Sequence, residues 1–186
     1  MIIGLVGEKL AGKDTAAKYL SEQYGAEHFR FTHILDAILE ELNLPISRQN
    51  EIDLGLGLRK IFGEHVLVNA LEKRARKSWS KILVVNGIRM DEMEIVRSWD
   101  KHSKIVYITA SLELRFERYK SRREKADDAV MNLDQFKEQE KGLTEIRIPE
   151  LGKNADMKIE NTGSLEEFHQ KLDALMAGLN IKKSSR

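Results

Sequence analysis

Five apolar residues, Ile2 to Val6, run straight into Gly7-Glu8-Lys9-Leu10-Ala11-Gly12-Lys13-Asp14-Thr15, and the stretch from Lys13 to Tyr24 has helical composition. A β-branched run that breaks at a glycine and continues as a helix leaves few architectures open. The two glycines stand five apart with lysine next, which is the spacing of a Walker A phosphate loop as far as Lys13. Such a loop must curl with its backbone N–H groups inward, which glycine permits. Lys13 adds a point charge and the helix N-terminus a partial one. The plain alternative is a tight turn without a ligand. A dinucleotide fold is disfavoured, because Gly7 and Gly12 do not make G-x-G-x-x-G.

Position 14 departs from the usual loop. A Ser or Thr after the lysine normally gives its hydroxyl to Mg²⁺, whereas here Asp14 takes that place and Thr15 follows. Asp14 can bind the ion directly or through water, and Thr15 can contact the ion or another phosphate. The loop, Gly7, Ala11, Gly12, Lys13, Asp14 and Thr15, is thus the candidate ATP and Mg²⁺ site, with Lys13 also a catalytic candidate.

Downstream, His28 to Phe31 reads as a second strand. Ile34, Leu35, Ile38, Leu39 and Leu42 fall at helical spacing until Pro45. Two helices separated near Gly63 account for Ile46 to Arg76. Lys81 to Asn86 and Lys104 to Thr109 are continuous apolar strands of the kind buried on both faces of a parallel sheet. Arg115 to Gly142 reads as helix, loop, helix, Asp156 to Ile159 as a last strand, and Leu165 to Leu179 as an amphipathic helix. The alternation predicts an α/β fold, with residues 1–180 as one domain and 181–186 as a basic, disordered tail.

Composition narrows the function. Lys and Arg total 31 against 30 for Asp and Glu, so a net charge of +1 gives no global field for nucleic acid, and an RNA-associated role has only local basic clusters behind it. Zero cysteines exclude disulfides and thiolate chemistry. No apolar run approaches the roughly 18 residues of a membrane span, and the N-terminal apolar stretch is too short for a signal peptide, so a cytoplasmic protein without a membrane role is expected. Oligomeric state leaves no mark on the sequence.

The form AGKDT, the stretch LGLGLRKIFGEHVLVNAL, the strand end VVNGIRMDEMEIVR, the basic segment LRFERYKSRRE and the ending NADMKIENTGSLEEF together resemble P-loop nucleotide kinases. The resemblance points to the dephospho-CoA kinase-like and deoxynucleoside monophosphate kinase-like group, including small kinase-like proteins that carry a "DGIR" segment. It implies a three-layer P-loop NTPase fold with a five-stranded parallel sheet of order 2-3-1-4-5. It also implies a helical acceptor-binding region at about 33–77 and a lid at about 115–145. By the same resemblance Arg59 and Arg89 are acceptor-phosphate ligands, and two arginines from separate elements can hold a monophosphate by bidentate contacts. Arg115, Arg118 and Arg122, with Arg123 beside them, match a lid whose arginines neutralise the transferring phosphoryl group, Arg118 and Arg122 as catalytic candidates and Arg115 as a nucleotide ligand. Asn161 and Gly163 match a loop that passes near the adenine. Each has a plain reading too: solvated arginines, and an ordinary turn with Ser164 as N-cap.

Two departures from the resemblance carry consequences. Similar kinases place an aspartate after the second strand, where this chain has His33, with Asp36 one helical turn on; His33 is then a candidate acceptor ligand and Asp36 a candidate catalytic substitute. The third strand ends in Asn86 where a Walker B-like aspartate is expected, so Asp91, Glu92 or Glu94 must supply the charge, or Asp14 compensates and the two departures form one exchanged metal site. The expected activity is ATP-dependent phosphoryl transfer to a nucleotide-like acceptor, a nucleoside or deoxynucleoside monophosphate or dephospho-CoA. The alternative is an ATP-binding sensor or regulatory NTPase with weakened transfer.

Overall fold

In the computed structural model, which describes residues 1–89, 92–121, 131–142 and 145–184, strands β1 (Ile2–Val6), β2 (Glu27–Arg30), β3 (Leu83–Asn86), β4 (Lys104–Thr109) and β5 (Met157–Glu160) form one parallel sheet in the order β2-β3-β1-β4-β5. The helices are α1 (Lys13–Tyr24), α2 (Thr32–Glu41), α3 (Arg48–Phe62), α4 (Val66–Ala75), α5 (Glu92–Ser98), α6 (Leu112–Ser121), α7 (Leu133–Gln139), α8 (Ile148–Lys153) and α9 (Leu165–Gly178). The sheet order is the one the resemblance implies.

Alternation along the strands divides the core into two layers. Ile2, Val6, Val85, Ile105 and Tyr107 face α2, α4, α5 and α8, where Leu35, Leu67, Leu71, Val96 and Leu151 meet them. Ile3, Leu5, Val84, Val106 and Ile108 face α1 and α9, against Ala17, Leu20, Phe168, Leu172 and Met176. Because both faces are covered, β1 and β4 read as unbroken apolar runs in the sequence.

The phosphate loop leaves β1 between β3 and β4, where successive connections turn to opposite sides, so it sits in the crevice at the carboxyl ends of the strands. In register, Asn86 at the end of β3 lies beside Leu5 of β1 and Arg30 of β2. The ends of β2 and β3 thus bring Arg30 and Asn86 to the crevice beside the loop that follows β1.

Several boundaries shift. The second strand covers 27–30, and Phe31 begins the turn into α2. Asn43, at φ 54, closes the end of α2 ahead of Pro45; asparagine tolerates this left-handed conformation. The six-residue α8 was not expected, because a helix that short, opening on a proline, carries too little periodicity to detect. Within the expected lid, α7 begins in a capping box of Asn132 and Gln135, and buried Phe136 packs it on Phe116 and Tyr119 of α6.

Residues 181–184, read from the sequence as part of the basic tail, lie against the body of the fold. Ile181 packs on the α1–α9 layer, the Ser184 N–H donates to the Gln23 carbonyl at 2.8 Å, and Lys183 Nζ lies 2.8 Å from Asp173, which also accepts from Tyr19 and Tyr24. Composition alone conceals an apolar anchor and a buried-edge partner for one tail lysine.

Leu172 is fully buried between α9 and the sheet. Leu172→Ala is expected to lower the unfolding free energy by about 2–5 kcal/mol, seen as a lower urea midpoint; an unchanged midpoint would contradict this packing of α9.

Candidate active site

The phosphate loop depends on two glycines in conformations that side chains resist. Gly7 has φ 154 and an added Cβ would fall 2.0 Å from the Ile108 carbonyl oxygen; Gly12 has φ 111 and a Cβ there would fall 2.3 Å from Asn161 Nδ2. Leu10 also adopts a positive φ of 64, a costly backbone state for leucine and one that clusters at ligand sites. Lys13, the first residue of α1, turns its buried Nζ back to donate to the Gly7 and Glu8 carbonyls, both at 2.8 Å. Burial, with a further push from the Arg89 charge, brings its pKa down to about 8.

The outer side of the loop is braced by Asn161, expected at the nucleotide, and by Arg118, expected as a catalytic lid residue. Asn161 Nδ2 donates to the Ala11 carbonyl at 2.9 Å. Arg118 donates to the Leu10 carbonyl at 3.1 Å and to the Asn161 carbonyl at 2.9 Å. Gly163 leaves room for Glu167, whose carboxylate accepts from the Ser164 N–H in the capping box of α9; a Cβ at 163 would strike it. This part of the segment therefore serves the turn-and-cap reading. Arg115, also buried, is held by the Ala110 carbonyl and by Glu140. Neither Arg115 nor Arg118 lines the cavity described next.

That cavity, of about 630 Å³, runs from the phosphate loop to the helical region α2–α4. Gly12, Lys13, Asp14, Asn86 and Gly87 form one end, Arg30, Arg48, Arg59 and Arg89 stand along it, and Leu35, Ile52, Leu56 and Leu67 supply an apolar wall. Arg59 and Arg89, expected to act together, meet through one carboxylate: Glu92 Oε1 accepts from Arg59 at 2.7 Å and Oε2 from the Arg89 backbone N–H at 2.9 Å. Glu92 is 3% exposed, and burial raises its pKa even though Arg59 opposes the shift. The Arg89 guanidinium is in turn held by Glu145 at 3.0 Å.

Of the acids offered for the metal in place of Asn86, Glu92 is committed to Arg59 and Glu94 pairs with Arg97 at 3.4 Å. Asp91 lies outside the described residues, as do Arg122 and Arg123 of the expected lid. What Asn86 does meet is Asp14: Nδ2 donates to Oδ1 at 2.7 Å. Thr15 is half-buried in the first turn of α1 and does not line the cavity.

His33 and Asp36 are also absent from the cavity wall. Thr32 and Leu35 present the inward side of α2, and His33 and Asp36 stand one residue further round. His33 is exposed and meets the His28 ring at 6.0 Å, its pKa lowered by partial burial and by Arg30 and Arg74. A residue that takes a motif position need not take the motif side chain's direction. Arg30 and Arg48, in contrast, line the cavity without a motif to announce them, although Arg30 was findable as a charge at the carboxyl end of a parallel strand.

A strand-to-helix phosphate loop at the switch point of a 2-3-1-4-5 sheet fits the match of residues 3–142, β1 through α7, to the AAA domain profile. The chain belongs to the AAA domain family. Among its relatives, a UPF0200/UPF0201 protein of Archaeoglobus fulgidus is 27% identical over 182 residues, covering 96% of this chain and 55% of that protein; the chain therefore spans about half the relative's length. Among solved structures, shikimate kinase from Aquifex aeolicus superposes with a TM-score of 0.61 at 17% identity, covering 97% of this chain and 98% of that one. A gluconokinase from Sinorhizobium meliloti does so with a TM-score of 0.58 at 16% identity, covering 95% and 91%. At such identities these likenesses establish a shared fold. The AAA domain here therefore has the kinase-type sheet and helical insertion, and its chemistry must be argued from its own side chains.

A phosphate anion beside Lys13 restores the charge balance that burial removes, so nucleotide binding should raise the Lys13 pKa from about 8. Above pH 8, binding of ATP is expected to take up as much as about one proton and to weaken as pH rises. Calorimetry in buffers of different ionisation enthalpy reads this uptake. Uptake that persists in Lys13→Ala would assign it elsewhere.

Proposed function

We propose that this protein transfers the γ-phosphoryl group of ATP to a small acceptor that carries a phosphate. The observation behind this reading is the single cavity that joins Lys13 and Asp14 to Arg30, Arg48, Arg59 and Arg89 with no wall between them. Phosphoryl transfer is chiefly a matter of positioning and charge neutralisation, and this arrangement offers both along one line. The loop would cradle the ATP phosphates, with Lys13 as their point charge and Mg²⁺ held at Asp14, where the ion would neutralise the phosphate oxygens.

Arg59 and Arg89 would grip the acceptor phosphate. In the free protein their guanidinium groups rest on Glu92 and Glu145, so an acceptor anion takes over donors that are already oriented. Neither His33, the candidate acceptor ligand, nor Asp36, the candidate catalytic substitute, lines the cavity. Two cavity arginines suit a terminal monophosphate, whose attacking oxygen is already anionic, as in a nucleoside or deoxynucleoside monophosphate. The apolar wall of Leu35, Ile52, Leu56 and Leu67 suits the base or sugar of such an acceptor.

The test is ADP release from Mg²⁺-ATP in the presence of AMP, CMP, GMP, UMP, their deoxy forms or dephospho-CoA. Release is expected with a monophosphate and not with Lys13→Ala. Arg89→Gln should raise the acceptor KM by about 10–100-fold, the loss of a charge-assisted contact, with little change in the KM for ATP. Tight ATP binding with no acceptor-dependent release would favour the sensor reading.

A further inference from the structure

The two positions at which this chain leaves the common phosphate-loop pattern touch each other. In that pattern a neutral hydroxyl after the lysine and an aspartate at a strand end attend the metal. Here the loop carries the carboxylate, Asp14, and the strand end carries the neutral group, Asn86. Asn86 Nδ2 donates to Asp14 Oδ1 at 2.7 Å across 72 residues of sequence. The charge of the pair is unchanged, one negative in either arrangement, and the direction of donation is reversed. A carboxylate only accepts, so the amide nitrogen must face Asp14 and the amide oxygen is left over.

That leftover atom is the second observation. Asn86 is 4% exposed, and its Oδ1 is buried with no hydrogen-bond partner among the described residues, although the residue lines the cavity. A buried acceptor left unpaired is costly, and such atoms in native structures commonly await a water, ion or ligand. Arg30 approaches the same Asp14 oxygen at 3.6 Å, which keeps the carboxylate aimed at the crevice between β2, β3 and the loop. Among the described residues no group of three or more His, Cys, Asp or Glu side chains is placed to hold a metal. An ion at Asp14 would therefore draw its other ligands from phosphate oxygens and water, as Mg²⁺ commonly does.

We infer that Asp14 and Asn86 form one metal-holding pair with the usual roles exchanged: Asp14 is the anionic ligand of the nucleotide's Mg²⁺, and Asn86 orients it through Nδ2 and offers Oδ1 to a water of the ion. The inference rests on the nucleotide-binding reading above, and Asn86 acts here as a positioning residue.

The test compares wild type, Asp14→Ser, Asn86→Asp and the double variant D14S/N86D for binding of a non-hydrolysable ATP analogue with and without Mg²⁺. In wild type, Mg²⁺ is expected to tighten binding, and Asp14→Ser to lose about 10–100-fold of that gain, the range for losing a partner of a metal site. Asn86→Asp places two carboxylates in contact, so its melting temperature should fall without metal and recover when Mg²⁺ alone is added. The double variant restores the common arrangement and should regain most of the Mg²⁺ effect lost in Asp14→Ser. Equal Mg²⁺ dependence in wild type and Asp14→Ser, or a double variant no better than Asp14→Ser, would overturn the inference. Mn²⁺ added to wild type with the analogue supplies a check that needs no variant: the Asn86 side-chain amide resonances should broaden, and unbroadened resonances would also overturn it. Failure of wild type to bind the analogue at all would instead overturn the nucleotide reading.

Discussion

A buried ammonium must find oxygen, and in this protein Lys13 finds it in the carbonyls of Gly7 and Glu8, inside the loop that its own helix closes. The loop can make that closed ring only because Gly7 and Gly12 occupy conformations in which a Cβ would strike Ile108 or Asn161. Arg118 and Asn161 then satisfy the outer carbonyls at Leu10 and Ala11, and this ties α6 and the turn after β5 to the loop. The parallel sheet supplies the frame, since the loop emerges at its switch point beside the ends of β2 and β3. Burial of Lys13 without phosphate is costly, visible in its lowered pKa, and that cost is what an incoming polyphosphate would relieve.

The same logic governs the arginines. Four line one cavity, and Arg59 and Arg89 are held by the little-exposed carboxylates of Glu92 and Glu145. Carboxylates hold guanidinium groups in place without filling the cavity, so the free protein has oriented donors at modest electrostatic cost. The proposed metal-holding pair follows the same pattern: Asn86 holds Asp14 by a 2.7 Å hydrogen bond, with the charge moved from strand end to loop.

Local features were legible in the sequence and distant ones were legible only in pairs. The loop could be read because its signature lies in nine consecutive residues, and β1 and β4 because burial on both faces forces an unbroken apolar run. The link between Asp14 and Asn86 could be framed because each breaks a known pattern in a complementary way. Arg30, Arg48 and Glu145 belong to no motif; they acquire roles only through the sheet register and the packing of the helical insertion. His33 shows the opposite failure, a correct position in the chain with a side chain on the wrong side of α2. Arg118 and Gly163 were found as functional-looking residues, and the structure gives them work in bracing the loop and capping α9.

The proposed function requires the phosphate loop and the arginine-lined region to be one reaction site. The most direct measurement follows the label from ATP radiolabelled in its γ-phosphate through a single turnover with a mixture of nucleoside and deoxynucleoside monophosphates. Label is expected in a nucleoside diphosphate, dependent on Lys13; label appearing only in inorganic phosphate, at a rate indifferent to the acceptors, would show that loop and arginines do not form one reaction site.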